Sequence, residues 1–75
     1  MRILEMIRQP VSSSNISSIG YDPESRTLEI EFHSGGVYQY FNVPESIYNA
    51  LMSASSHGSY FHHYIKNQYR WKKIC

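Results

Sequence analysis

Residues 27–43, TLEIEFHSGGVYQYFNV, constrain the chain most, because they read as a β-hairpin with two chemically sorted faces. Gly35-Gly36 is a two-residue hairpin signal, since glycine accepts the positive φ of the tight turns that join antiparallel strands. That loop sets Phe32 opposite Gln39, Ile30 opposite Phe41 and Leu28 opposite Val43 on a largely apolar face. The other face then carries Glu29, Glu31, His33, Tyr38, Tyr40 and Asn42, a polar-aromatic platform. A slip of one residue would mix the two sets.

The same reading extends upstream. Asp22-Pro23-Glu24-Ser25 suits a type I turn, and a loop over residues 23–26 puts Ile19 opposite Ile30 and Tyr21 opposite Leu28. The expectation is a three-stranded antiparallel meander with one apolar face. Such a face needs a cover. Pro44 and Glu45 mark a helix start, with Ile47, Tyr48, Leu51 and Ala54 on one stripe. The Ser-Ser-His-Gly run at 55–58 closes that helix, and Ser59 is a candidate N-cap for a second. There Phe61, Tyr64, Ile65 and Gln68 share one side, while His62, Lys66 and Tyr69 share another. The expected core is Leu28, Ile30, Phe32, Phe41, Leu51, Phe61 and Ile65, with Tyr21, Tyr48 and Tyr64 also facing inward.

The fold class is therefore α+β: a three-stranded antiparallel β-meander with one face covered by two C-terminal helices. An N-terminal edge segment (strand or short helix) and a short C-terminal strand from residue 71 complete it. Residues 1–75 make one domain: an N-terminal segment over 1–14, the meander over 15–43, a helical part over 44–70 and a tail over 71–75.

A chain of 75 residues buries a modest core, and with Cys75 as its only cysteine it has no internal disulfide. Oligomerisation is one way to gain stability. The lone cysteine fits a cytoplasmic location. No stretch approaches the roughly 20 apolar residues of a membrane span, and residues 1–10 lack the pattern of a signal peptide. No membrane partner is expected.

The net charge of +1 hides an asymmetry. Every acid lies at or before Glu45, whereas the later charges are Lys66, Arg70, Lys72 and Lys73, accompanied by His57, His62 and His63. A basic half can meet phosphates, or it can be a solvated tail.

Catalytic and metal signatures do not emerge. A structural zinc site wants about four ligands at defined spacing, and the histidines do not supply it. There is no Gly-x-Ser-x-Gly elbow, Walker loop or Gly-x-Gly-x-x-Gly. Neither an enzyme, a metal nor a cofactor is expected. The aromatics are the stronger anomaly, with seven tyrosines. Tyr38 and Tyr40, at alternate positions of one strand, could stack bases as in single-strand readers, or pack across the sheet or under another subunit.

Several ordered motifs run through the chain: Ser13-Ser14-Asn15-Ile16 with Ile19-Gly20-Tyr21-Asp22, then Leu28-x-Ile30-x-Phe32, then Gly36-x-Tyr38-x-Tyr40-x-x-Val43-Pro44. Ser55-x-x-Gly58-x-Tyr60-Phe61 follows, with Ile65 and Tyr69 beyond. Over residues 11–71 the sequence resembles the KTSC domain, a small domain named for the C-terminus of some lysyl-tRNA synthetases and also free-standing in bacteria and phages. The resemblance implies RNA binding, with Asn15, Tyr38, Tyr40, Ser55, Gly58, Lys66 and Tyr69 as candidate contacts and Gly20 and Pro44 as backbone-shaping residues. Where that family often has Asn after the Tyr-Phe pair, this chain has His62. Arg70 and Lys72 join the candidates as phosphate partners.

The leading expectation is a non-enzymatic module for RNA or a nucleotide. The alternative is a protein-interaction or self-assembling module, such as a phage-type inhibitor or an oligomer that sequesters a nucleotide. The two differ in the sign of the potential around the tyrosines.

Overall fold

Asp22 makes the first long hairpin. Its carboxylate accepts the backbone N–H groups of Glu24 and Ser25 and the Ser25 hydroxyl, so the chain reverses over residues 23–26. Arg26 completes the turn at φ 58°. In the computed structural model, which describes residues 6–75, this turn joins β2 (Ile16–Asp22) to β3 (Thr27–Phe32). Ile19 lies opposite Ile30 and Tyr21 opposite Leu28, as the turn chemistry predicts. Strand β4 is Val37–Tyr40, helix α1 is Glu45–Ser53 and helix α2 is His57–Tyr64.

The sheet is larger than the predicted meander. Gln9–Pro10 (β1) pairs with β2, and Trp71–Lys73 (β5) pairs with β4, giving five antiparallel strands in the order β1-β2-β3-β4-β5. Both short terminal segments thus enter the sheet as its edges. Ile3, Leu4 and Glu5, part of the N-terminal segment read from the sequence, lie outside the described residues.

The register of β3 against β4 differs from expectation. Ile30 faces Tyr38, not Phe41, and Leu28 faces Tyr40, not Val43. The reason is the loop. Phe32 and Gly36 pair directly, through Phe32 N–H to the Gly36 carbonyl at 2.9 Å, and residues 33–35 form the connection. Gly35 takes φ +111°, the conformation that closes a three-residue hairpin loop. The shift of three positions is odd, so it exchanges the faces of β4. Tyr38 and Tyr40 sit on the core side with Leu28 and Ile30, and Gln39 joins Glu29. The polar-aromatic platform is therefore divided between the two faces.

Two helices cover the apolar face. Pro44 is the N-cap of α1, and its carbonyl accepts the Ile47 and Tyr48 N–H groups. Ser56, not Ser59, caps α2: its side chain accepts the Ser59 N–H, and His57 and Gly58 begin the helix. The core consists of Ile16, Ile19, Leu28, Ile30, Tyr40, Val43, Leu51, Phe61 and Ile65. Phe32 packs against it while half-buried; Phe41, displaced by the register, stays outside it. Tyr21 stacks on Tyr48 at 4.8 Å. Tyr64, expected inside, is 58% exposed, because α2 ends there and the chain turns with Asn67 at φ 65°.

The opposite face is closed by the N-terminal segment. A Cβ on Gly20 would lie 2.8 Å from the Ile7 carbonyl oxygen and from Met6 Cγ, so only glycine allows that crossing. Beside it Arg8 donates to Ser18 Oγ at 3.0 Å and pairs with Glu29, which also accepts from Gln39 Nε2 at 2.9 Å.

Candidate aromatic cleft

Between α2 and the end of the sheet formed by β4 and β5 lies a cleft of about 380 Å³. Its floor is aromatic, and each ring is placed by a different element. Phe61, from the buried stripe of α2, meets Phe32 at 5.4 Å and Tyr40 at 5.4 Å, both edge-to-face. Tyr38 meets Phe32 at 5.6 Å and Trp71 at 5.5 Å. Trp71 faces Tyr40 across the β4–β5 ladder, and alternation puts its side chain on the cleft side. It remains 52% exposed. Burial pushes the Tyr40 phenol up to about 12, helped by the neighbouring Tyr38. Tyr40 is thus a neutral floor residue.

The rim is polar. His62, in the last turn of α2, and Lys66, in the turn just past its end, stand on the rim, and Asn15, Ser34 and Asn67 complete the lining. Among the described residues no carboxylate lines the cleft. Asn15 is held firmly: its Oδ1 accepts the Ser13 hydroxyl at 3.0 Å, its backbone carbonyl accepts the His33 N–H at 2.9 Å, and Gly58 packs against its side chain. His33 reinforces this arrangement by donating from Nε2 to the Ser13 carbonyl at 3.0 Å. The loop before β2 is thereby tied both to the β3–β4 hairpin and to α2.

The cleft gathers Asn15, Tyr38, Tyr40 and Lys66 from the residues singled out in the sequence. It does not gather the rest. Gly58 works behind Asn15 as a close-packing position. Ser55 lines shallow surface depressions around the start of α2. Tyr69 packs against the core. The Arg70 carbonyl accepts the Phe41 N–H at 2.9 Å, which anchors β5. Lys72 pairs with Gln39 and so lies on the far face of the sheet. The basic half is consequently dispersed, with Lys66 as its representative at the cleft.

Phe32, Ser34, Phe61, His62, Asn67 and Trp71 were not among the candidate contacts. Trp71 had a usable signal: the alternation of residues 69–74 already suggested a strand, which projects Trp71 and Lys73 to one side and Lys72 to the other. For Ser34 and Asn67 only the folded loops bring the side chains to the cleft. Among the described residues no three of His, Cys, Asp and Glu converge as metal ligands, and no helix is long and apolar enough to cross a membrane.

Comparison with known proteins matches residues 12–69 to the KTSC domain. An uncharacterised protein from Stutzerimonas stutzeri (strain A1501) is 44% identical over 70 residues, covering 92% of this chain and 99% of that protein. A lysine–tRNA ligase from Nostoc sp. is 41% identical over 61 residues, which are 81% of this chain and 11% of the ligase. The crystal structure of a KTSC domain protein from Yersinia pestis is similar with a TM-score of 0.92 and 52% identity, covering 95% of this chain and 100% of that one. On the family match, the sequence relatives and the shared fold together, the chain belongs to the KTSC domain family.

Proposed function

We propose that this domain is a non-enzymatic binding module whose aromatic cleft takes RNA or a nucleotide. The observation that carries the reading is the composition of the cleft: exposed Trp71 and half-buried Tyr38 beside Lys66, with no carboxylate in the lining among the described residues. A base presents a π-face to such rings, and stacking is worth about 1–3 kcal/mol per base. The Lys66 ammonium meets a phosphate. Asn15, with its oxygen committed to Ser13, offers its amide hydrogens to ligand acceptors. A relative that is a lysine–tRNA ligase accords with an RNA ligand and a cytoplasmic setting.

Fluorescence anisotropy with single-stranded RNA and DNA across a salt series tests this. Trp71→Ala weakens binding with little change in salt slope, whereas Lys66→Ala weakens it and flattens the slope, because fewer counterions are released. No binding at low salt, where electrostatics are exaggerated, defeats the proposal.

A second reading has one observation in its favour. Trp71, in the edge strand β5, and Ile74, just after it, are 52% and 43% exposed. Partly exposed apolar side chains at a sheet edge suit a protein partner that adds a strand. This reading gains if nucleic acid fails to bind.

A further inference from the structure

We infer that the cleft holds a single nucleotide unit, one base against Trp71 or Tyr38 and one phosphate at Lys66, so that its ligand is a mononucleotide or the phosphorylated end of a strand, not an internal tract. The inference rests on the nucleotide-binding reading above and narrows it.

The dimensions set the first limit. A cleft of about 380 Å³ lies near the lower end of the roughly 300–1,000 Å³ spanned by small-molecule sites. The rings set the second. Tyr38 and Trp71 are inclined at 59° with centroids 5.5 Å apart, so they form a corner and not a row of parallel platforms. A corner accepts one stacked base; successive stacked bases need successive exposed faces. Tyr40, which would be the next ring along β4, is 5% exposed and closed by Phe61.

Charge sets the third limit. A tract needs cations along its path. Among the described residues Lys66 is the lysine or arginine that lines the cleft; Lys73 lies opposite Tyr38 on the same face of the sheet but outside the lining, and Lys72 lies on the other face. Lys66 has no ion pair within the described residues, so its charge is available to a ligand. His62, in the last turn of α2, adds a second nitrogen donor to the lining. One or two phosphate oxygens can be held there, not a run of phosphates.

The experiment is a titration of the whole chain, followed by isothermal calorimetry, with uridine, uridine 5′-monophosphate, 5′-phosphorylated oligouridylates of two to twelve nucleotides and a covalently closed circle of the twelve-mer. The mononucleotide is expected to bind within about threefold of the linear oligomers and more than tenfold tighter than the nucleoside. The salt slope of the linear oligomers is expected to stay near −0.7, the value for about one phosphate contact on a single strand. The circle is expected to bind at least tenfold more weakly than the linear twelve-mer. Lys66→Ala, at an exposed position, should lose tenfold or more without lowering the melting temperature, and Trp71→Ala should lose tenfold or more at temperatures where the variant is still folded. If the mononucleotide and the linear oligomers bind equally and the circle does not, a free nucleotide suffices and a strand is taken by its end; oligomers that bind where the mononucleotide does not would overturn the single-unit inference. Affinity that climbs with length, a steeper slope and a circle equal to the linear strand would overturn the single-unit inference while leaving RNA binding intact. Absence of binding by every probe would overturn both.

Discussion

Gly58, near the start of α2, touches the side chain of Asn15: a Cβ at position 58 would stand 2.2 Å from Asn15 Oδ1 and 3.0 Å from its Cγ. This contact sets the distance between the helix and the loop before β2, and that loop carries one wall of the cleft. Gly58→Ala should therefore destabilise the fold even though alanine is the better helix residue, because overpacking costs about 1–3 kcal/mol and the propensity gain is at most about 1 kcal/mol. Thermal melts of Gly58→Ala, Asn15→Gly and the double variant form a cycle. The double variant is expected to recover most of the loss; strict additivity would show that the contact is not the cause.

Arg8 and Glu29 make a second prediction. Their side chains are 29% and 5% exposed, and Glu29 keeps one further partner in Gln39. Arg8→Met leaves a carboxylate almost without compensation inside the protein. The expected loss is about 3 kcal/mol, the low end for a broken buried pair because Arg8 itself reaches solvent. Urea unfolding measures it. Arg8→Met with Glu29→Gln should be more stable than Arg8→Met alone.

Alkaline pH provides a third. Burial and the nearby Tyr38 raise Tyr40 from about 10 to about 12, and burial first of all raises Tyr21 as well. Between those pH values the unfolded chain loses a proton that the folded chain keeps. The stability Tyr40 provides is thus full below pH 10 and declines as pH rises toward 12, by up to about 1.4 kcal/mol per unit. Melts between pH 8 and 11.5 should show a smaller decline for Tyr40→Phe than for wild type.

Core truncation gives a fourth. Leu51 is fully buried and Phe61 is 6% exposed, so Leu51→Ala and Phe61→Ala should each cost about 2–5 kcal/mol in transfer and cavity terms. Phe61 also floors the cleft. Its truncation should weaken nucleotide binding at temperatures where the variant is still folded, whereas Leu51→Ala should not.

The two hairpins show how far local chemistry reaches. Asp22-Pro23 and the side-chain bonds around Asp22 define one turn length, so Ile19 opposite Ile30 could be read from the residues before any packing was known. The element types were equally legible, since apolar periodicity and caps are local properties. Gly35-Gly36 is different. Two glycines permit a two-residue loop or a three-residue loop ending in Gly35, and β4 with the residues after it offers two plausible inward sets, Tyr38 and Tyr40 or Phe41 and Val43.

Packing decided between them. Tyr40 fills the space under Phe61 and Tyr38 meets Phe32, while the buried Glu29 finds Gln39 and Arg8 on the other face. The cleft follows from that choice, because only this register turns Tyr38 toward Trp71. Residue type determined that the chain would form a helix-covered antiparallel sheet; which tyrosines face the helices depended on contacts between segments more than 20 residues apart in sequence, as Tyr40 and Phe61 are. No local pattern encodes such contacts, since an aromatic ring with a polar tip satisfies either face until its neighbours are in place.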